Sequence, residues 1–459
     1  MQETSVEMKN IPLLKIDLTN RARKKYTNLD QLVKDFQEKG IISPIAVQLR
    51  NAQPGEDDPF DYTLLAGGRR CAAAVLAKLE TIPARIYQAD MNDLERREIE
   101  LMENISREEL HWTERVWLTE EIDKLKKEQL GEAVGPSEGH SSSDTAKLLG
   151  VSPMTVSRDK KLAEGLRRHG EVIADAKNAS EALATLKKVE RKEEAEKSAK
   201  AFNRELEEGN VDKLKQKIIN GYIIGDFFDR VEMVPDMAVS FVEIDPPYGM
   251  DLKNIKKVEH NLQLEVEDYH EVDELEYDSF LKNLFVECAR VMLPNSWIIC
   301  WCAIQRYSEV IEFMKAAGLS PATVPGVWTK GSTAGQTNNP TRILGSSCEF
   351  FVYARKGDAI LREPGRSNRF DFKPIFADDK VHMAERPIEM MEELIVLFTP
   401  PGGRIMVPFL GSGNTLLAAF NKGFSGFGYE LNEDYQNSYI DRVRKNTPGK
   451  FTSYPRQTS

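Results

Sequence analysis

The stretch Met237-Ala-Val-Ser-Phe-Val-Glu-Ile244, followed by Asp245-Pro-Pro-Tyr-Gly249, limits the folds open to this chain more than any other. The run is short, apolar and rich in β-branched residues, and it ends in Pro and Gly. That is the pattern of a buried strand handing over to a loop at its carboxyl end, where open α/β sheets bind ligands. Two consecutive prolines fix φ and donate no N–H, so the carbonyls of Asp245 and Pro246 are held rigid. Pro247 and the aromatic face of Tyr248 complete the group. A carboxylate, a rigid carbonyl and an aromatic ring suit a flipped-out base, whose exocyclic amine can donate to both acceptors while the base stacks on tyrosine. Taken alone, the same residues also fit a proline-rich turn with an exposed Asp and a packing Tyr.

The rest of the chain bears on that choice. Its 459 residues exceed one hydrophobic core and predict roughly two to four domains. No apolar run approaches the length of a membrane span, and the start MQETSVEMKN has no signal-peptide pattern, so no membrane partner and a cytoplasmic location are expected. Five cysteines, an odd number, argue for free thiols. Cys300 and Cys302 lie in the strand-like run Trp297–Ala303 with no second Cys or His pair nearby, so no metal site is expected. The net charge of −11 does not favour wholesale coating of nucleic acid, so any DNA contact is expected from local basic patches.

Downstream of Asp245 the pattern continues as an α/β domain over 217–459. A polar, acidic connection spans 251–278, then helical spacing over 280–292, a strand over 297–303, a helix over 310–317, and extended segments over 324–330 and 349–354. A helix over 389–398 and a strand over 404–407 lead to Pro408-Phe409-Leu410-Gly411-Ser412-Gly413-Asn414-Thr415, a glycine turn opening the helix 416–422. Gly426–Glu430 then places a carboxylate at the end of another strand. Strand, glycine turn, helix, strand and acidic end make the nucleoside-binding half of a doubly wound fold. The glycines let the backbone approach the ligand, and Glu430 can accept from ribose hydroxyls.

With Asp245-Pro-Pro-Tyr248 preceding Phe409-Leu-Gly-Ser-Gly413, this segment resembles the amino-methylating DNA methyltransferases of the permuted β class. The resemblance implies a doubly wound fold, S-adenosylmethionine as cofactor, and methyl transfer to an exocyclic amine. Asp at the first position points to adenine N6, where Ser is the usual choice for cytosine N4. It gives Asp245, Pro246, Pro247 and Tyr248 the catalytic role. Phe409, Gly411, Ser412, Gly413, Asn414, Thr415 and Glu430 become cofactor-binding, as do Arg386 and Pro387, which stand where the family has Lys-Pro. Val407 occupies a place where that family commonly has Asp, and Asp226 is the substitute.

The first 130 residues read as an α+β domain. An edge strand over 11–16 and a helix over 29–36 ending at Gly40 precede strands over 41–47 and 62–65 and an alanine-rich helix over 71–78. Glycines and two arginines at the strand-to-helix turn, Gly67-Gly-Arg69-Arg70, can surround a phosphate. Gly40-Ile-Ile-Ser-Pro-Ile45, Gly67-Gly-Arg-Arg70 and Glu103-Asn104 with Arg107, in that order, resemble the boxes of the ParB/sulfiredoxin-like family, with Gly68 where the family has Glu. The resemblance implies a nucleotide pocket for CTP or another nucleoside triphosphate, formed by Gly67, Arg69, Arg70, Glu103, Asn104 and Arg107. A fold kept only as a DNA-docking platform is the alternative.

Between these domains, 131–170 combines a Gly/Ser/Pro-rich loop with two short helical segments around Gly150-Val-Ser152. This is helix-turn-helix spacing. Thr155, Ser157, Arg158, Lys160 and Lys161 would lie on or near the exposed face of the second helix and contact double-stranded DNA. Residues 171–216 are rich in Ala, Glu and Lys and read as a charged connecting helix and candidate homodimer seam. The sequence reading is therefore a site-specific DNA methyltransferase. Its rivals are a ParB-like nucleotide- and DNA-binding protein with a degenerate methyltransferase half, cytosine-N4 methylation, and methylation of RNA or a protein amide.

Overall fold

A computed structural model of the chain describes residues 7–18, 29–50, 59–91, 95–99, 101, 110–132, 139–247, 276–331, 339, 341–375, 380–382 and 384–453. They divide into two compact units, Met1–Lys188 and Val189–Ser459.

The first unit begins with β1 (Glu7–Pro12), β2 (Ile16–Asp17), α1 (Leu29–Lys39), β3 (Ile45–Leu49), β4 (Tyr62–Ala66), α2 (Gly68–Leu76) and β5 (Thr81–Tyr87). The strands form one mixed sheet in the order β1-β5-β3-β4-β2. Ile45, Val47, Ile82 and Ala84 of the sheet share a core with Phe36 of α1 and Cys71, Ala73 and Ala74 of α2. The expected strand over 11–16 is displaced: it runs over Glu7–Pro12 at the sheet edge, and a single 3-10 turn, Leu13–Lys15, follows.

Helices α3 (Trp112–Leu130), α4 (Ser142–Leu149) and α5 (Pro153–Ile173) complete the unit with the first turns of α6 (Ala179–Glu207). A reciprocal capping box between Ser141 and Asp144 starts α4, and Gly150, in the left-handed region at φ 66°, stops it. Ser152 then accepts from the Thr155 amide and Pro153 occupies the first turn of α5. The two-helix motif foreseen from the sequence is thus set by local capping. Val116, Leu162, Ala163, Ala182 and Leu186 bury its apolar side.

In the second unit, residues of α6 from Val189 onward pack Ala199 and Phe202 into the core. There follow α7 (Lys213–Asn220), β6 (Tyr222–Ile224), α8 (Phe227–Val231), β7 (Val239–Ile244), α9 (Tyr277–Val291), β8 (Met292–Cys302), α10 (Tyr307–Ala316), β9 (Ser320–Pro321), β10 (Gly326–Thr329), β11 (Cys348–Lys356) and β12 (Arg369–Asp371). The chain ends with α11 (Ile388–Phe398), β13 (Arg404–Val407), α12 (Asn414–Asn421), β14 (Ser425–Glu430) and α13 (Glu433–Lys445). The sheet order is β12-β10-β11-β8-β7-β13-β14-β6, with β9 paired to β11. From β8 to β6 every neighbour is parallel, and β11 is antiparallel to both β8 and β10. Helices α11, α12 and α13 cover one face (Leu394, Leu416, Tyr439) and α9 and α10 the other (Leu281, Leu284, Val310). This is a doubly wound α/β domain, and every residue of β7 is buried, as a strand covered on both faces requires.

Inside that strand sits a carboxyl group. Glu243, 3% exposed, accepts from the Trp301 indole N–H at 3.0 Å and from the Thr415 hydroxyl at 3.1 Å. Burial pushes its pKa up from 4.5 to about 7, against the lowering pull of the Arg386 charge. An acid raised in this way leaves stability untouched at low pH, where folded and unfolded chains are both protonated. Stability is lost as pH rises from 4.5 toward 7, where only the unfolded chain ionises readily. Glu243→Gln keeps the shape and one acceptor. It should therefore gain on the parent by about 2 to 3 kcal/mol between pH 5 and pH 8. Melting both proteins across that range checks this, and a difference flat with pH would remove Glu243 as the cause.

Candidate active site

The parallel register of β7 and β13, with Phe241 opposite Ile405 and Val242 opposite Met406, ends both strands on one edge of the sheet. Asp245 therefore emerges beside the turn 408–413, and both line one cavity of about 490 Å³. The turn needs its glycines. Gly411 and Gly413 lie in the left-handed region at φ 52° and 76°, and a Cβ on Gly413 would stand 2.4 Å from the Tyr439 ring. The cavity side of Gly411 is also close, since a Cβ there would sit 3.2 Å from His382.

Farther along the same edge, β14 delivers Glu430 and β6 delivers Asp226. Glu430 accepts from the amide of Gly411 at 2.8 Å and from those of Leu431 and Asn432 at 2.9 and 3.0 Å. These three bonds orient the carboxylate at the edge of the cavity. Asp226 caps α8, accepting from the amides of Phe228 and Asp229 at 2.8 and 3.4 Å, and also borders the cavity. Val407 is buried in the core with Leu410 and Leu416. Phe409 closes one wall with Phe227 and Phe280, at ring distances of 6.1 and 5.9 Å.

At the other end of the cavity the Asp245 carboxylate receives both terminal nitrogens of Arg386, with Nη2 to Oδ1 at 3.1 Å. The same Nη2 reaches Glu349 Oε2 at 3.2 Å, and Glu349 Oε1 pairs with Lys330 at 2.7 Å. Beneath the guanidinium, 4.0 Å from its carbon, lies the Trp301 ring. Arg386 and Lys330 hold the Glu349 carboxyl below its usual range, overcoming the upward push of burial. Burial holds the His382 imidazole below its ordinary value, and its Nδ1 accepts from the Ala384 amide at 3.2 Å.

The expected site residues divide by place. Asp245, Pro247, Asp226, Arg386, Phe409, Gly411, Ser412 and Glu430 meet at the cavity. Pro246 and Gly413 are buried just behind it, and Pro387 is buried as the residue that caps α11. Asn414 and Thr415 border the cavity, yet their side chains turn inward. Asn414 donates to the Arg386 carbonyl at 2.7 Å and Thr415 donates to Glu243. Tyr248, Glu103, Asn104 and Arg107 lie outside the described residues. Sequence reasoning did not assign Phe280, His382, Glu243 or Trp301. Only Glu243 carried a signal, as a lone acid within an apolar run.

In the first unit, a second cavity of about 1170 Å³ is bordered by the loop from Gly40 to Ala46 and by Gly67, Arg69 and Arg70. Gly67, at φ 99°, caps α2, and a Cβ there would meet Ile45 Cγ2 at 2.7 Å. Arg70 donates to the Ser43 carbonyl at 3.2 Å and to that of Pro44, which ties the loop to the helix start. On α5, Ser157 and Lys161 are exposed, while Thr155, Arg158 and Lys160 are half-buried. Arg158 pairs with buried Asp159 at 3.0 Å. Lys160 bonds buried Asp123 at 2.5 Å and Ser142 at 3.3 Å, so its ammonium turns toward the helical core.

Residues 239–441 match the family model described as DNA methylase (N6/N4 type), and residues 1–105 match that of the ParB N-terminal domain. Among curated relatives, the "Probable plasmid-partitioning protein ParB" of Thermus thermophilus is 34% identical over 130 residues, which are 27% of this chain and 40% of that protein. The "Putative methylase YubD" of Escherichia coli (strain K12) is 25% identical over 224 residues, 48% of this chain and 89% of that one. The solved M1.HpyAVI-SAM complex is 21% identical, with coverage of 48% of this chain and 98% of its own and a TM-score of 0.38. Within the described residues no helix is long and apolar enough to cross a membrane. The chain joins a ParB N-terminal domain to a DNA methylase domain of the N6/N4 type.

Proposed function

We propose that this chain transfers a methyl group from S-adenosylmethionine to adenine N6 in double-stranded DNA. One observation carries the reading: Asp245 and the glycine turn 408–413 open on a single cavity from the ends of adjacent parallel strands. The cavity falls within the roughly 300–1,000 Å³ of small-molecule sites. Its residues fit the cofactor. Gly411 and Ser412 bring backbone close, Glu430 is oriented to accept from ribose hydroxyls, and Asp226 offers a carboxylate to the methionine amine. Phe280 and Phe409 give an apolar wall. When bound, S-adenosylmethionine supplies an electrophilic sulfonium methyl.

The amine of adenine is a poor nucleophile because its lone pair is delocalised into the ring. Asp245 and the Pro246 carbonyl accept its two N–H groups, which localises the lone pair and aims it. Asp245 is then the acceptor at hand for the proton that the methylated amine sheds. Tyr248, next in the chain, would stack on the base. Asp in place of Ser at position 245 supports adenine over cytosine. Asp245→Ala should cut methyl incorporation at least about 1,000-fold while S-adenosylmethionine affinity stays within about threefold, since the carboxylate touches the base. Nucleoside mass spectrometry of treated duplex, with calorimetry of the variant, checks both. N4-methylcytosine as the product would overturn the adenine assignment, and unchanged turnover would remove Asp245 from the chemistry.

The helix-turn-helix is read as a DNA contact through Ser157, Thr155 and Lys161, with Lys160 serving the fold. Lys161→Ala should lower affinity for duplex and reduce the slope of its salt dependence by about 1. Lys160→Ala should instead destabilise the first unit by about 2 kcal/mol, because buried Asp123 keeps the neutral Thr145 hydroxyl but loses its short ion pair and retains only the longer one to Lys127. Salt-series binding and thermal melts of the two variants separate these roles, and identical behaviour of the pair would refute the division.

The cavity of the first unit is read as a site for CTP or another nucleoside triphosphate, with phosphates at Gly67, Arg69 and Arg70. Calorimetric titration with CTP and with ATP should give saturable heat for at least one. Silence for both at millimolar ligand would make the domain a docking platform alone.

A further inference from the structure

Arg386 lines the cavity together with the glycine turn, and its side chain addresses the acceptor carboxylate. We infer that Arg386, held by Glu349 and Trp301, is the positioning residue that fixes Asp245 for the incoming amine; this rests on the methyl-transfer reading above. The guanidinium is 6% exposed, and its two terminal nitrogens meet the two oxygens of Asp245. A fork of this kind sets the rotation of the carboxylate as a single bond cannot.

The fork is fixed from three further sides. Glu349 holds Nη2 at 3.2 Å, Trp301 lies 4.0 Å beneath, and the Asn414 amide grips the Arg386 carbonyl at 2.7 Å. Trp301 in turn is pinned through its N–H to Glu243, which also takes the Thr415 hydroxyl. The cofactor turn and the acceptor carboxylate thus share one rigid support.

Charge explains why Glu349 belongs to it. Attack on a sulfonium methyl makes the amine cationic, and a bare guanidinium nearby would oppose that step. Asp245 and Glu349 together offset Arg386, and Lys330 closes the chain against the far oxygen of Glu349. A buried ion pair is weak support for stability, since apolar replacements often serve the fold as well. Geometry at the reacting end is the better account of this one.

The test uses the full chain with saturating duplex and S-adenosylmethionine. Arg386→Ala should lower kcat about 100-fold with KM for both substrates within about threefold, and added guanidinium ion should restore at least about tenfold. Arg386→Lys, which keeps charge without the fork, should fall between parent and Arg386→Ala and covers the case in which the alanine variant fails to fold. Glu349→Gln should lose about tenfold in kcat and add little to Arg386→Ala, as expected of residues acting in series. Parent-like kcat in Arg386→Ala, or joint loss of cofactor binding and turnover in Arg386→Lys, overturns the positioning role alone. A parent that incorporates no methyl into DNA overturns the functional reading and this inference with it.

Discussion

The second unit depends on β7 lying between β8 and β13. Both pairings are parallel, so three strands point their carboxyl ends the same way, and β14 and β6 extend the edge. Side chains alternate along a strand, so Glu243 and Asp245 fall on one side of β7. A slip of one residue against β13 would turn Glu243 away from Thr415 and Trp301, and Asp245 away from Arg386. The register of two pairs, Phe241 with Ile405 and Val242 with Met406, therefore sets the chemistry as well as the core.

What the sequence shows of this is the part encoded locally. The glycine turn and the stop at Gly150 each act within a few residues, and β13, α12 and the two-helix motif stand close to where periodicity and turn chemistry place them, although the cap of α4, Ser141, is not legible in that pattern. Arg386 is different. Its motif marked it for the cofactor, but Asp245 lies 141 residues away and nothing local states that the guanidinium turns there. The final helix, α13, is not legible in the sequence either, because Tyr439, Ile440 and Val443 are thinly spread among charges. In α6 the buried side consists of alanines with occasional large residues, such as Leu186 and Phe202, so its composition reads as a solvated connector.

The basic second helix of the helix-turn-helix shows the same limit in electrostatic form. Sequence counts Arg158, Lys160 and Lys161 as one exposed patch, whereas Arg158 and Lys160 are half-buried and pair with Asp159 and Asp123, and Lys161 is the exposed one of the three. Long-range attraction to phosphates depends on charge that is not already neutralised at close range. In a chain of net charge −11, local cancellation matters more than the number of cations.

Buried acids in the two units resolve the same problem differently. Asp123 is pushed upward by burial, but hydrogen bonds from Lys160 and Thr145 and the nearby lysine charges leave it below the usual carboxylate range, so it stays ionised and ties α3 to α5. Glu349 is held ionised by Arg386 and Lys330. Glu243 lies close to the same arginine but has only the neutral donors Trp301 and Thr415 for hydrogen bonds. Two cations, Arg386 and Lys330, bond two of the three carboxylates, and the one without a direct bond to either yields its charge. A proton on Glu243 therefore leaves Arg386 to the two carboxylates it bonds directly, Glu349 and Asp245, the second being the group that must be held still.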